Sequence, residues 1–154
     1  MLDDATFKTI IDSAPLISVD ILLKKDGKVL LGKRVNKPAQ GYYFSTGGRI
    51  NKNEPIKDAM SRLAKTELNI ELFRSTSLEV KLTPKFIGVF EHFYDDGIYE
   101  DISTHYINLA YELNVDDEIL NLPNDQHNEY QWFSIKELLE SKQVHKYVKD
   151  YFRN

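Results

Sequence analysis

One segment of the chain concentrates residue types that do chemistry: Gly47-Gly48-Arg49-Ile50-Asn51-Lys52-Asn53-Glu54, continuing through Arg62 to Glu67 and Ile70. Adjacent glycines let a backbone turn tightly and bring its carbonyl oxygens close to a bound group. A second signal is Asp20, a carboxylate inside the apolar run Leu16 to Leu23, where a charge needs a partner or a ligand. Four histidines supply imidazoles whose near-neutral titration suits proton exchange with water. There is no cysteine, so thiolate zinc sites, cysteine nucleophiles and disulfides are excluded together.

Apolar spacing predicts a helix over Asp4–Asp12, closed by Pro15. Leu16–Lys24 reads as a strand, joined through Lys25-Asp26-Gly27-Lys28 to a hairpin partner at Val29–Gly32. Pro38–Gly41 reads as a loop and Tyr42–Phe44 as a short strand that Gly47-Gly48 breaks. Pro55 opens a helix running to about Leu68, with Ile56, Ala59, Met60 and Leu63 along one flank. Phe86–Tyr94 and Ser103–Leu113 are dense in aromatic and β-branched residues and predict two strands around a hairpin loop at Asp95–Asp101. Pro123–Glu129 reads as a polar loop and Tyr130–Phe133 as a short strand. Ser134, with Glu137 three residues later, is a capping box that opens a terminal helix, and a short helix over Val144–Tyr151 follows. Helices and strands mix without strict alternation and neighbouring strands read as antiparallel. The fold class is therefore α+β, a mixed sheet between helices. Within it His105 is expected in the core and His145 on the surface. The aromatic wealth of Phe86–Tyr106 is expected to serve core or subunit interface rather than a nucleobase platform.

The 154 residues, 42% of them hydrophobic, predict one domain spanning 1–154 with a core that needs no staples. A net charge of −4 argues against a basic footprint for nucleic acid or an anionic membrane. Met1-Leu2-Asp3-Asp4 lacks the basic region of a signal peptide, and Ser18 and Asp20 interrupt the longest apolar run far short of a membrane span. A soluble, cytoplasmic protein is expected.

The segment from Gly47 to Ile70 resembles the Nudix box, written G-x5-E-x7-R-E-U-x-E-E-x-G-U with U apolar. Gly48, Glu54, Arg62, Glu67 and Ile70 fall at the pattern's positions and Ala64 at its first U. Leu63, Thr66 and Asn69 stand where the pattern has Glu, Glu and Gly. In that family the box is a loop–helix–loop that presents oxygen ligands to a divalent cation on a diphosphate. The resemblance implies a structural ion pair between Glu54 and Arg62. Leu63, Thr66 and Glu67 should share one side of the helix, where most members carry a carboxylate cluster. Only Glu67 remains, and one carboxylate plus diphosphate oxygens suits a single magnesium ion per subunit, which keeps waters and needs few protein anions. These departures resemble the GDP-mannose mannosyl hydrolase branch. So do Pro15-Leu16 with Ser18 and Asp20, Leu31–Arg34, Pro38–Tyr42, Glu91–Asp96, Thr104–Tyr106, and Asp125-Gln126-His127 followed by Tyr130 and Trp132.

The resemblance implies a Nudix-like mixed sheet sandwiched between helices. It also implies magnesium-dependent hydrolysis of GDP-mannose, extending to GDP-glucose, by water attack at the anomeric carbon with inversion. On this reading His127 is the catalytic base, Arg34 holds the departing phosphate and Asp20 hydrogen-bonds a sugar hydroxyl. Arg49, His92 and Tyr106 make further substrate contacts, while Gly47, Glu67 and Gln126 hold the metal. A homodimer and a place in polysaccharide or GDP-sugar metabolism are implied as well. Inverting glycoside hydrolysis normally needs an acid and a base. A nucleoside diphosphate is a good leaving group once its charge is neutralised, so one base suffices. Two alternatives stand beside this reading. One is a nucleoside diphosphate sugar pyrophosphatase attacking phosphorus, against which the missing glutamates count. The other is a non-catalytic Nudix-like module that binds a nucleotide sugar.

Overall fold

The computed structural model describes residues 2–73, 82–116 and 127–153, without the side chains of His127 and Asn128, and Gln126 lies outside them. Helix α1 (Asp4–Ser13) begins at Asp3, whose carboxylate accepts from the Thr6 amide at 2.9 Å. Strands β1 (Leu16–Lys25) and β2 (Lys28–Arg34) form a hairpin around Asp26 and Gly27, whose positive φ values of 51° and 76° match a tight two-residue turn. Then follow β3 (Tyr43–Phe44), β4 (Thr46–Arg49), α2 (Ile56–Leu68), β5 (Lys85–Tyr94), β6 (Thr104–Asn114), β7 (His127–Ser134), α3 (Ile135–Glu140) and α4 (Lys146–Asp150). The predicted capping box opens α3: Ser134 Oγ accepts from the Glu137 amide at 3.1 Å, and Glu137 reaches back to the Ser134 amide.

The strands make one seven-stranded sheet along the path β3-β2-β1-β6-β5, with β4 paired to β1 and β7 to β2. β1 and β2 pair at the base of their hairpin, Lys24 with Val29 and Lys25 with Lys28. Beyond that base they part, β1 toward β4 and β2 toward β7 and β3. On its other side β1 runs parallel to β6 from Leu16 to Lys24. This corrects the expectation of antiparallel neighbours: β5 and β6 form an antiparallel hairpin, but β6 reaches β1 by a crossover that sequence neighbourhood cannot reveal. His127, Asn128 and Glu129, expected in a loop, lie within β7.

Side chains alternate across a strand, so the register sorts the sheet into two faces. Val19, Ile21 and Leu23 point to the side of α2 and form a core with Met60, Leu63 and Leu68. The other side packs under α3 and α4 through Leu31, Phe44, Phe133, Leu138, Val144 and Val148. Helices thus cover both faces. His92 stands opposite Tyr106, and Phe93 opposite His105. His105 is therefore one position out of phase with the buried row. It lies half-exposed on the outer side, stacked on Phe93 at 4.3 Å and 3.5 Å from Glu91, rather than in the core as expected. Along β5, Phe86, Val89 and Phe93 are likewise exposed.

Two departures from the Nudix pattern have local explanations. Asn69 caps α2 in the left-handed region at φ 54°, a conformation that glycine favours and asparagine tolerates. Leu63, in place of a glutamate, is buried in the core. Glu67, one turn on, is also buried, whereas Thr66 faces solvent, so these three do not share one side.

The glycine pair, expected to break a strand, lies inside β4, where neighbours crowd it. A Cβ at Gly47 would overlap both the carbonyl of Val19 and Asp20 Oδ1, and one at Gly48 would meet the end of the Leu63 side chain. Backbone cannot yield as a side-chain tip can. Gly47→Ala should therefore cost roughly 1–3 kcal/mol, and Gly48→Ala clearly less, in urea unfolding of the two variants. Equal losses would show that crowding at Val19 does not dictate the glycine.

Candidate active site

A pocket opens where β1 and β2 part. Ser18, Asp20, Arg34, Phe44, Gly47, Arg49, His92, Tyr94, Tyr106 and Asn108 are among its walls. Six residues expected at a site from the sequence, namely Asp20, Arg34, Gly47, Arg49, His92 and Tyr106, come together there. Register accounts for the gathering. Asp20 and Ser18 on β1 share a face with Asn108 and Tyr106 on β6 and with His92 and Tyr94 on β5.

Asp20 is the deepest charge, 4% exposed, and its Oδ2 receives donors from three parts of the chain. They are the Tyr151 hydroxyl, Asn108 Nδ2 at 3.3 Å and Ser45 Oγ at 3.4 Å. Oδ1 faces Gly47. Burial pushes the carboxyl up to about 6, against the pull of those hydrogen bonds and of the Arg34 charge.

Burial holds His92 at about 3, helped by the charge of His145, so its ring is neutral. Its Nε2 lies 3.3 Å from the Tyr151 hydroxyl and its Nδ1 3.3 Å from the Tyr94 hydroxyl. Tyr151 spends its one proton on Asp20, so it accepts from Nε2–H, and Nδ1 must then accept from Tyr94. Burial raises the pKa of both tyrosines, which keeps them protonated. The ordered chain Tyr94–His92–Tyr151–Asp20 thus fixes the tautomer of His92. His145, expected on the surface, caps α4 instead. Its Nδ1 accepts from the Tyr147 amide at 3.2 Å, and its ring sits among Tyr42, Phe44, Tyr94 and Tyr147.

The two pocket guanidiniums are half-buried and held in place. Arg34 Nε donates to the Pro38 carbonyl at 2.8 Å, and its terminal nitrogens make no hydrogen bond among the described residues. Arg49 lies over the Phe7 ring at 4.4 Å, and its carbonyl accepts from Arg62 at 2.9 Å. Arg62 also grips Glu54 with two bonds of 2.8 Å, the ion pair the pattern implies. Those bonds hold the Glu54 carboxyl down at about 2.

Glu67 does not line the pocket. It is buried on α2, within reach of the Arg62 charge. His127 enters through its backbone, which pairs with Arg34 across β2 and β7, and Gln126 lies outside the described residues. Among the described residues no three His, Asp or Glu side chains cluster as a metal cage. One buried carboxylate, Glu67, still suits a hard cation that takes most of its oxygens from water and phosphate. Three members of the polar assembly were not singled out in the sequence: Asn108, Ser45 and Tyr151. Asn108 is two residues from Tyr106 on a strand, a spacing that could have flagged it. Tyr151, 131 residues from Asp20, leaves no comparable signal.

The Asp20 assignment has a pH signature. Its folded pKa lies above the unfolded value of 3.8, so the native state binds the proton more tightly than the unfolded chain. Stability on this account is greatest below about pH 4 and falls as pH rises through about 6, by at most about 3 kcal/mol. Asp20→Asn should flatten that slope in denaturant unfolding between pH 4 and 7, and a slope unchanged by the substitution would assign it to another group.

Comparison with known proteins matches this geometry to a family. The NUDIX domain pattern covers residues 15–153. The low-salt glycan biosynthesis protein Agl8 of Haloferax volcanii is 38% identical over 133 residues, 86% of this chain and 79% of that protein. An ADP-ribose pyrophosphatase of Methanocaldococcus jannaschii is 27% identical over 140 residues, 90% of this chain and 74% of that one. In fold, a MutT NUDIX hydrolase from Burkholderia pseudomallei superposes with a TM-score of 0.69 at 21% identity, over 90% of this chain and 96% of its own. By sequence pattern and by relatedness along most of its length, the chain belongs to the NUDIX domain family, that of the Nudix hydrolases.

Proposed function

We propose that this protein hydrolyses a GDP-hexose, GDP-mannose foremost and GDP-glucose after it, at the sugar's anomeric carbon. Nudix proteins act on nucleotide or sugar-nucleotide substrates and generally use a divalent metal such as Mg2+. The finer reading rests on one observation. The pocket sets a buried carboxylate, a neutral imidazole and two guanidiniums on one sheet face, and its walls include no carboxylate other than Asp20 among the described residues. Attack on phosphorus in this family leans on a carboxylate cluster. Reaction at carbon asks for sugar-reading acceptors and cations on a leaving diphosphate, which is the inventory here.

On this reading Asp20 Oδ1 accepts from a sugar hydroxyl while the donors on Oδ2 keep the carboxylate in place. The terminal nitrogens of Arg34 take the departing phosphate, and Arg49 and Tyr106 line its approach. His127, whose backbone neighbours Arg34, withdraws a proton from water. The water oxygen bonds to the anomeric carbon as the bond from that carbon to the phosphate oxygen breaks. The electron pair leaves with GDP, and the free hexose emerges inverted. Glu67, the Gly47 carbonyl and Gln126 would hold one magnesium ion, whose chemistry is to neutralise diphosphate charge. A homodimer in the cytoplasm completes the proposal. No described helix is long and apolar enough to cross a membrane.

The relative whose name is ADP-ribose pyrophosphatase favours a second reading, attack at phosphorus. Hydrolysis of GDP-mannose in heavy-oxygen water separates the two: label is expected in the hexose, and label in GMP or a sugar phosphate would overturn reaction at carbon. His127→Gln should lower kcat by roughly 10²–10⁴ with little change in KM, and an unchanged rate would remove His127 as the base. Glu67→Gln should shift the magnesium activation curve to higher concentration by at least about tenfold, in line with the loss of an ion's charged ligand. Indifference would mean that other groups hold the metal.

A further inference from the structure

Asn108 is 3% exposed on β6 and forms part of the pocket wall. Its amide nitrogen is fully engaged, donating to Ser18 Oγ at 2.5 Å and to Asp20 Oδ2 at 3.3 Å. Its carbonyl oxygen Oδ1, equally buried, has no hydrogen-bond partner among the described residues. The two ends of the amide cannot be exchanged, because an oxygen turned toward the Asp20 carboxylate would set acceptor against acceptor. Buried acceptors are rarely left unpaired, since each costs the desolvation it is not repaid for. An orphan in the wall of a pocket, held by its own amide nitrogen, is a group waiting for a donor.

We propose that Asn108 is a specificity-determining residue whose side-chain carbonyl accepts a hydrogen bond from a hydroxyl of the bound sugar, next to the hydroxyl read by Asp20. This inference rests on the reading of the pocket as a nucleotide-sugar site and adds to it the group that selects the sugar. The chemistry of the pair follows from the geometry. Asp20 and Asn108 are bridged by one hydrogen bond, which leaves Oδ1 of each outside the bridge, one acceptor on a carboxylate and one on an amide. Two acceptors on joined side chains match two vicinal hydroxyls. A cation or a phosphate oxygen would not serve. A cation would meet only Asp20's charge, already committed to three donors on Oδ2, and a phosphate would face two acceptors. Ser18 Oγ accepts from Asn108, which leaves its own proton to be given elsewhere, so the corner can also donate.

The test is kinetic, with GDP-mannose and a set of analogues each lacking one sugar hydroxyl. The wild type is expected to lose roughly 10–100-fold in kcat/KM on removal of each of two adjacent hydroxyls, the effect of leaving a buried acceptor unpaired. Asn108→Ala, with Asn108→Ser as a smaller change should the first fail to fold, is expected to lose the same factor on GDP-mannose. It should lose nothing further on one of those two analogues, while the penalty at the other hydroxyl persists. Equal losses on every substrate would make Asn108 a structural support and overturn the inference. So would a wild type that penalises one hydroxyl or none, a result that needs no variant. A wild type that turns over no GDP-hexose would instead remove the functional reading itself, and the inference with it.

Discussion

A carboxylate taken out of water in the middle of a central strand is the constraint around which this protein closes. Asp20 lies in β1 within the run Leu16–Leu23, where every other residue but Ser18 is apolar. Ionised, it would be intolerable without donors, and three arrive from separate parts of the chain: Asn108 on β6, Ser45 between β3 and β4, and Tyr151 at the end of α4. Gly47 is small because the Asp20 carboxylate and the Val19 carbonyl already fill the space beside it. Tyr151 in turn packs with Leu22 and Ala110, so the final helix is anchored by the same residue that satisfies the charge. The packing of the last helix and the satisfaction of the site's anion thus share one residue.

Local signals are legible in this sequence, and long-range register is not. The Asp26-Gly27 turn, the Ser134–Glu137 capping box and the helix after Pro55 each depend on a few adjacent residues, and each stands where expected. Asp20, Arg34, Gly47, Arg49, His92 and Tyr106 meet in one pocket, and in the sequence only likeness to a family, not any measure of distance, links them. What escaped depends on pairing. The parallel union of β1 with β6, the outward turn of His105 by a single position, and the strand made by Gly47-Gly48 all follow from which residue lies opposite which. Hydrophobic spacing along one strand tells which face each residue takes, not which strand will lie beside it.

The box helix shows how a motif can keep its scaffold while its chemistry thins. Glu54 and Arg62 retain the bidentate clasp that ties the loop to the helix, and Arg62 extends it to the carbonyl of Arg49. Asn69 supplies the left-handed cap in place of glycine. Leu63, where the pattern has a carboxylate, is core and packs beside Gly48. A glutamate at position 63 would need a cation to justify its burial, and a leucine needs none. The side of α2 that carries metal ligands elsewhere in the family here shares its space with apolar packing, leaving Glu67 as its buried acid.

The polar groups of the pocket are also sorted by depth, and that order constrains the orientation of a ligand. Asp20, Asn108 and His92 are nearly sealed, whereas Arg34, Arg49 and Tyr106 are half-buried. Acceptors and a neutral ring therefore lie at the bottom, and guanidiniums lie nearer the solvent. A nucleotide sugar has matching order, with uncharged hydroxyls at one end and a diphosphate further along. Reversed, it would press phosphate oxygens against the Asp20 carboxylate and leave two arginines without an anion. Such a juxtaposition of like charges costs more in a site of low dielectric than any hydrogen bond there could return. On the reading proposed, the sugar must enter first, which sets its anomeric carbon at the level where β2 brings Arg34 alongside the backbone of His127.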